Sequence, residues 1–316
     1  MKKYLAFFSL FLLTASLFGF SRNLVVKKDF AKDEIKNLEF HLKSESLKIT
    51  PIYGEGITLE IYCNNSKKIP LVVQDDDKLT FTSKINKLSN RTDLCVIELF
   101  VPTDYKFDEI KFNATSGDFD FSKLNVDSIT CSITSGDIVG KNLNADNSIK
   151  FNLTSGDLEI ETINCENLTA YATSGDIELK NISATTLRAE CTSGDIELNS
   201  FEGESIVLRS TSGSLKTKNT TADYFDTTTT SGSIKIELKK APKASSIISS
   251  NSGSVELIVP HDQGFNIQCS SVSGSFEDEI NDFKMSIRNS FRNSYYGGGA
   301  EINIKTTSGS IELDKN

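Results

Sequence analysis

The chain has 316 residues, of which 38% are hydrophobic and 24% charged, and a formal net charge of −9. This composition excludes a disordered tail and a polytopic membrane protein, and 19 glycines with 5 prolines exclude collagen-like and proline-rich chains. Two histidines and no tryptophan leave little material for acid–base or metal chemistry, and the negative charge argues against a nucleic-acid partner.

Residues 1–20 have the layout of a secretory signal peptide. Lys2 and Lys3 are followed by an uncharged stretch rich in Leu and Phe that ends at Ser21. An uncleaved anchor is the alternative, because this stretch is at the lower length limit for a membrane span. We expect cleavage, export to the periplasm, the cell surface or the medium, and no membrane span in the mature chain.

Residues 21–108 contain strand-like segments without a repeated motif, and we predict that they form an N-terminal β cap. Cys63 and Cys95 both lie on such segments and are the best candidates for a disulfide in an exported protein. The other four cysteines fall within the repeats described next and are interpreted as small apolar core residues. They are Cys131, Cys165, Cys191 and Cys269.

Residues 109–316 are built on a short repeat. The dipeptide Ser-Gly, followed by Asp or Ser, recurs at steps of 19 to 21 residues with a last step of 35. Its glycines are Gly117, Gly136, Gly156, Gly175, Gly194, Gly213, Gly232, Gly253, Gly274 and Gly309. Two residues after every one of them stands an apolar residue, and apolar and polar positions alternate on both sides. This alternation predicts a strand before and after each glycine-containing turn.

One strand–turn–strand unit cannot bury its apolar face alone, whereas stacked copies can. We therefore predict an all-β protein, a β-solenoid of the single-stranded, β-helix-like kind, in which each repeat makes about one coil of 19 residues. A stack of antiparallel hairpins or a sandwich is the alternative. Residues 278–299 interrupt the period as a polar and aromatic insert.

Several local motifs resemble a known bacterial family. Leu47-Lys48-Ile49 precedes a polar turn, Gln74 to Leu79 precedes the next strand, and Val101-Pro102 leads into the first Thr-Ser-Gly-Asp motif at 115–118. Over residues 35–314 the chain resembles the exported "putative adhesin" proteins, a β-strand-repeat domain of unknown function. The resemblance implies a β-solenoid in the cell envelope and brings no catalytic residues.

Five acidic residues directly follow the turn glycines and should form one outward column. They are Asp118, Asp137, Asp157, Asp176 and Asp195. Stacked carboxylates repel one another unless cations or amide groups compensate. We consider weak Ca²⁺ binding or recognition of a basic partner, and the alternative is that each Asp accepts hydrogen bonds from turn amides. No other metal or cofactor is predicted.

The insert contains side chains that are favoured at contact sites, namely Arg288, Phe291, Arg292, Tyr295 and Tyr296. Long loops on repeat proteins often bind partners, so these residues are candidates for a partner-binding surface. The alternative is that the aromatic rings fold back and cap the end of the repeat stack.

No nucleophile–base, metal-ligand or phosphate-loop pattern is present, so we predict no enzymatic activity. The expected function is binding or adhesion by an exported envelope protein, with a protein or an envelope or host-surface polysaccharide as partner. The alternative is a periplasmic scaffold or sensing component that acts through protein partners. Self-association could then join an acidic block, residues 114–204 with net charge −11, to a basic block, residues 205–244 with net charge +4. A carbohydrate-active enzyme is the third interpretation.

Overall fold

The computed structural model describes residues 3–4, 23–84, 95–287 and 290–316. In this part of the chain the regular structure is β-strand apart from one 3-10 turn at Ser66–Lys68. No helix among the described residues is long and apolar enough to cross a membrane. The predicted signal peptide lies outside the described residues except at Lys3–Tyr4. The chain divides into two compact units, residues 1–161 and 162–316, and each is described by itself.

Unit 1 contains twelve described strands. They are β1 (Lys3–Tyr4), β2 (Asn23–Phe30), β3 (Asn37–Leu42), β4 (Glu45–Ile52), β5 (Ile57–Cys63), β6 (Leu71–Asp75), β7 (Lys78–Thr82), β8 (Cys95–Pro102), β9 (Lys106–Ser116), β10 (Phe119–Phe121), β11 (Leu124–Ser135) and β12 (Ile138–Ser155). Strand β13 (Leu158–Ser174) contains the division between the units.

The repeats of unit 1 pair in parallel with a register of one repeat. Strand β9 pairs with β11, and β11 with β12, so that Ile110, Ile129 and Ile149 are successive partners. Their side chains are buried, which places one apolar column of the repeat in the core. Parallel pairing at this register confirms the solenoid-like prediction and excludes a stack of antiparallel hairpins for these repeats.

The segment 37–52 also forms one coil of the stack, although it lacks the Ser-Gly motif. Strand β3 pairs in parallel with both β7 and β9, and strand β4 pairs in parallel with both β8 and β10. The spatial order is therefore β7 and β8, then β3 and β4, then β9 and β10, which differs from their order in the chain. Part of the predicted cap thus repeats the geometry of the Ser-Gly coils.

Antiparallel strands cover the end of unit 1. Strand β6 pairs with β7, while β5 pairs with β8 and β2 pairs with β5. Cys63 and Cys95, the candidate pair of the sequence, lie directly opposite each other on β5 and β8 and form a disulfide. The antiparallel strands occupy hydrogen-bonding edges that would otherwise be open to pairing with another chain.

Unit 2 contains the remaining described strands. They are β14 (Ile177–Ser193), β15 (Ile196–Ser212), β16 (Leu215–Ser231), β17 (Ile234–Leu238), β18 (Ser246–Ser252), β19 (Val255–Val259), β20 (Phe265–Asp278), β21 (Phe283–Ile287), β22 (Ser290–Tyr295), β23 (Glu301–Ser308) and β24 (Ile311–Lys315). The buried partners Ile177, Ile196, Leu215 and Ile234 show the same parallel register of 19 residues.

Strands β14, β15 and β16 are each 17 residues long, and each contains a corner. At the corner stands a residue with a positive φ, namely Asn181 (52°), Ser200 (72°) or Asn219 (49°). A short polar side chain tolerates this left-handed backbone better than a bulky one does. The corner lets one continuous strand pair along two sides of the coil.

The far end of unit 2 again departs from chain order. Strand β23 lies between β18 and β20, and β24 lies between β19 and β20, all in parallel. Strands β21 and β22 then pair antiparallel with the outer edge of β20. Within the predicted insert, residues 278–299, strands β21 and β22 thus cover the outer edge of β20. The chain then forms β23 and β24, which lie between β20 and the earlier strands β18 and β19.

We expect the Cys63–Cys95 disulfide to stabilise unit 1 strongly, because it closes a loop with a sequence separation of 32 residues. Replacing both cysteines by alanine should lower the free energy of unfolding by about 3–4 kcal/mol, measured by urea unfolding. A reductant should produce the same loss in the natural chain and none in the double variant. The matched control is Cys165→Ala. An unfolding midpoint that reductant leaves unchanged would contradict a stabilising role for the bond.

Glu312 should destabilise unit 2 at neutral pH, because Glu256 and Glu277 are its partners on the two neighbouring strands. Partial burial and these carboxylates raise the pKa of Glu312 above its ordinary 4.5. The native state therefore loses stability as the pH rises through that raised pKa. Glu312→Gln should add about 0.2–1 kcal/mol at pH 7, and the gain should vanish below about pH 4.5.

Thermal unfolding across this pH range measures the effect. The matched control is Glu301→Gln, since the partner of Glu301 on β20 is the neutral Asn266. A gain of equal size in both variants would show that the stack of carboxylates is not its cause.

Candidate functional site

The column of aspartates uses its carboxylates to bind the backbone of the next coil. In unit 1, Asp118 Oδ1 accepts a hydrogen bond from Asp137 N at 3.1 Å, and Asp137 Oδ1 accepts one from Asp157 N at 2.9 Å. In unit 2, Asp195 N donates to Asp176 Oδ1 at 2.8 Å, and Asp195 Oδ1 accepts from Ser214 N at 2.7 Å. This geometry corresponds to the turn-amide alternative of the sequence analysis.

Within the described ranges, no group of three or more His, Cys, Asp or Glu side chains has the arrangement needed to hold a metal ion. Each of these aspartates is nonetheless exposed on the surface. Weak Ca²⁺ binding by the column remains a prediction.

The insert residues separate into two groups. Phe291 packs against Phe276 with 4.8 Å between ring centroids, and Tyr295 is stacked on Phe265 at 4.8 Å and is only 3% exposed. These two rings fold back on the end of unit 2, as the capping alternative predicts. Burial and the hydrogen bond to Asp278 raise the pKa of Tyr295, so that its hydroxyl remains a donor.

Arg292 and Tyr296 remain candidates for contact with a partner because both are exposed. The Arg292 guanidinium donates to Gln268 Oε1 on β20. Arg288 lies outside the described residues. The partner-binding prediction for the insert is thereby narrowed to Arg292 and Tyr296 among the residues described.

Asp278 organises the insert, although the sequence pattern did not single it out as a functional residue. It is 1% exposed and accepts hydrogen bonds from the backbone N–H groups of Ile280 and Asn281, from the Asn281 side chain and from Tyr295 Oη. A buried carboxylate is tolerated only when donors surround it in this way. It stands four residues after Gly274, where most repeats carry an apolar residue, and this break in the pattern was the available signal.

A shallow depression of about 440 Å³ lies on the outer face of unit 2. Its lining residues come from three strands that precede Ser-Gly turns and from the next coil. They are Tyr171, Ala172, Thr173, Glu190, Cys191, Thr192, Arg209, Ser210, Thr211 and Thr228. The outward side chains stand four and two residues before the turn glycine of each repeat, and this spacing could have identified them from the sequence.

The charges in the depression are internally balanced. Arg188 forms an ion pair with Glu190, and Arg209 Nη2 lies 2.8 Å from Asp226 Oδ2. Glu190 and Arg209 are Cα partners on adjacent strands, so both ion pairs belong to one patch. The patch can offer hydrogen-bond donors and acceptors to a ligand without carrying a net charge.

The thiol in the depression is not an activated nucleophile. Cys191 is buried, and its Sγ donates to the carbonyl oxygen of Gly175 at 3.3 Å. Burial, with a smaller contribution from Asp176 and Asp195, raises the pKa of Cys191. A thiol with a raised pKa holds little thiolate at neutral pH, and thiolate is the reactive form.

The ladder of aspartates should contribute to stability through its acceptor oxygens. Replacing Asp195 by alanine removes the acceptor of the Ser214 N–H and should cost about 0.5–1.5 kcal/mol in urea unfolding. Asp195→Asn is the matched control, since it keeps a side-chain oxygen in place and should lose less. Equal losses in both variants would show that the negative charge, and not the acceptor, matters.

Several solved structures are similar to the chain at low identity. They include a protein described as a putative adhesin from Bacteroides fragilis NCTC 9343, with 14% identity, TM-score 0.45 and coverage of 91% of this chain and 96% of that one. A second such protein, from Parabacteroides merdae ATCC 43184, has 13% identity and TM-score 0.46, with 91% and 95% covered. A protein described as a putative lipid binding protein, from Parabacteroides distasonis ATCC 8503, has 14% identity and TM-score 0.42, with 91% and 96% covered.

At these identities and TM-scores, the likeness says nothing about what the chain binds. No curated protein is similar enough in sequence to match it. The family is shown by the sequence itself, because residues 35–201 and again residues 146–314 match the family described as Toastrack DUF4097. The chain belongs to this family, which confirms the resemblance drawn from its repeated motifs.

Proposed function

We propose that the chain is a non-enzymatic, exported protein of the cell envelope that presents a repetitive surface for binding or adhesion. In this proposal each unit is a solenoid of single-strand coils of about 19 residues. Strands before residue 109 close the N-terminal end of unit 1. The signal-peptide layout of residues 1–20 supports export, and membership of the family is consistent with it.

The observation that carries the proposal is the alignment of exposed Thr-Ser pairs. Ser193, Ser212 and Ser231 are successive partners in the parallel ladder of unit 2, and the threonine before each of them is exposed. Equivalent hydroxyl groups therefore recur at the spacing of adjacent strands, roughly 4.8 Å. A partner that is itself repetitive can contact many such pairs at once, and multivalent contact strengthens binding without any single strong site.

The non-enzymatic part of the proposal rests on the environments of the aspartate, cysteine and histidine side chains. The aspartates that follow the turn glycines accept backbone hydrogen bonds, and burial raises the pKa of Cys131, Cys165, Cys191 and Cys269. The two histidines lie at exposed positions, where His41 contacts Glu39 and His261 contacts Asp262.

Protease treatment of intact cells tests the proposed location and mode of action. If the protein acts as an adhesin, an added protease should remove its blotting signal while a periplasmic control protein stays intact. Protection until the envelope is opened would contradict surface adhesion and would favour the periplasmic scaffold. In that case the purified protein should self-associate, and because exposed charges are screened by salt, added salt should weaken the association.

A further inference from the structure

We propose that the depression on unit 2 is a binding site for a neutral, linear oligosaccharide that lies across successive coils. The inference rests on the proposed binding function in naming its ligand class, but it concerns one defined patch. The patch comprises Tyr171, Glu190 and Arg209 together with the threonines that line the same depression.

The shape of the patch favours an extended ligand. Its lining residues recur at the same positions of consecutive repeats, with Glu190 and Arg209 aligned on adjacent strands and Thr228 aligned with Arg209 on the next. Adjacent strands are roughly 4.8 Å apart, which is close to the length of one pyranose unit in an extended chain. A glycan running along the stack would therefore place about one sugar ring on each coil.

The side chains supply the contacts that a sugar requires. Tyr171 is half-buried and lines the depression, so its ring can pack against the apolar face of a pyranose. The exposed hydroxyls of Thr173, Thr192 and Thr211 can each donate one hydrogen bond and accept others. Arg209 also lines the depression, and its N–H groups other than the one bonded to Asp226 can donate to sugar hydroxyl groups.

The charge of the patch selects a neutral sugar over an acidic one. The guanidiniums of Arg188 and Arg209 are paired with the carboxylates of Glu190 and Asp226, so the patch has no net positive charge with which to attract a uronate. The exposed carboxylates of Asp176 and Asp195 stand at the turns beside the patch and would repel an anion.

The size of the depression agrees with this ligand. About 440 Å³ lies within the usual range of about 300–1,000 Å³ for small-molecule sites. The parallel ladder continues from Thr228 to Ser249 on the next strand, so that a chain longer than the depression can extend over it. We therefore expect a hexasaccharide to bind more tightly than a disaccharide of the same sugar.

Isothermal titration of the purified full chain tests the inference with defined probes. The probes are the neutral cellohexaose, chitohexaose, xylohexaose, mannohexaose and maltohexaose, with hexagalacturonate as the acidic comparison. At least one neutral hexasaccharide should bind with a Kd between about 10 μM and 1 mM, with little dependence on salt. No binding of any neutral probe at about 5 mM, or tighter binding of hexagalacturonate, would overturn the inference.

Variants place the binding in the depression. Tyr171→Ala should weaken the affinity at least about 10-fold, whereas Tyr171→Phe should keep most of it because the ring remains. The matched control is Tyr224→Ala, since Tyr224 is also a half-buried tyrosine of unit 2 but does not line the depression. Binding that survives Tyr171→Ala unchanged would overturn the assignment of the site.

Sugar binding by the purified protein is tested independently of the protein's location in the cell. A protein that is protected from protease in intact cells but binds a neutral hexasaccharide through Tyr171 would fail as an adhesin and still bear out the site. If the protein is exposed on cells but binds none of the sugars, only the oligosaccharide site is overturned and the proposed surface adhesion is not.

Discussion

The fold depends on how closely the backbone of one coil approaches the next at the Ser-Gly turn. In unit 2, Gly175 N donates to Ser193 O at 3.2 Å, and Gly194 N donates to Ser212 O at the same distance. A Cβ atom on Gly194 would lie 2.1 Å from the carbonyl oxygen of Gly175, and the φ of Gly194 is 148°. Only glycine satisfies both constraints. Because the motif recurs at nearly every coil, each turn fixes the register of the strands on both sides of it.

That register explains why so much of the architecture could be predicted from the sequence. With a fixed register, equivalent residues of successive repeats stack in columns that are either buried or exposed. The core positions of Ile177, Ile196 and Leu215 therefore followed from their distance to the turn glycine alone. Cys63 and Cys95, which form a disulfide, were also singled out as the best candidates for one, because both stood on strand-like segments outside the repeat.

The features that escaped prediction depend on spatial order or on single side chains. A repeat period says which residues are equivalent but not which coils are neighbours, so the position of β23 between β18 and β20 could not be read from it. The depression was not singled out because its residue types, Tyr171, Glu190 and Arg209, differ from one repeat to the next, although their distance to the turn glycine is the same. The interior of one coil is also unexpectedly polar, since Thr217, Thr227 and Thr229 are buried where apolar residues were expected.

The displaced order of coils has a consequence for how the chain is made. Strands β20, β21 and β22 are synthesised before residues 301–315, yet strands β23 and β24 separate β20 from β18 and β19. The parallel pairings of β20 therefore cannot form until the later segment has emerged. During that interval the edges of β18 and β19 are open templates for strand addition by any neighbouring chain. Completion of this end of unit 2 is thus tied to the appearance of residues 301–315, and a chaperone that shields strand edges would have most effect before then.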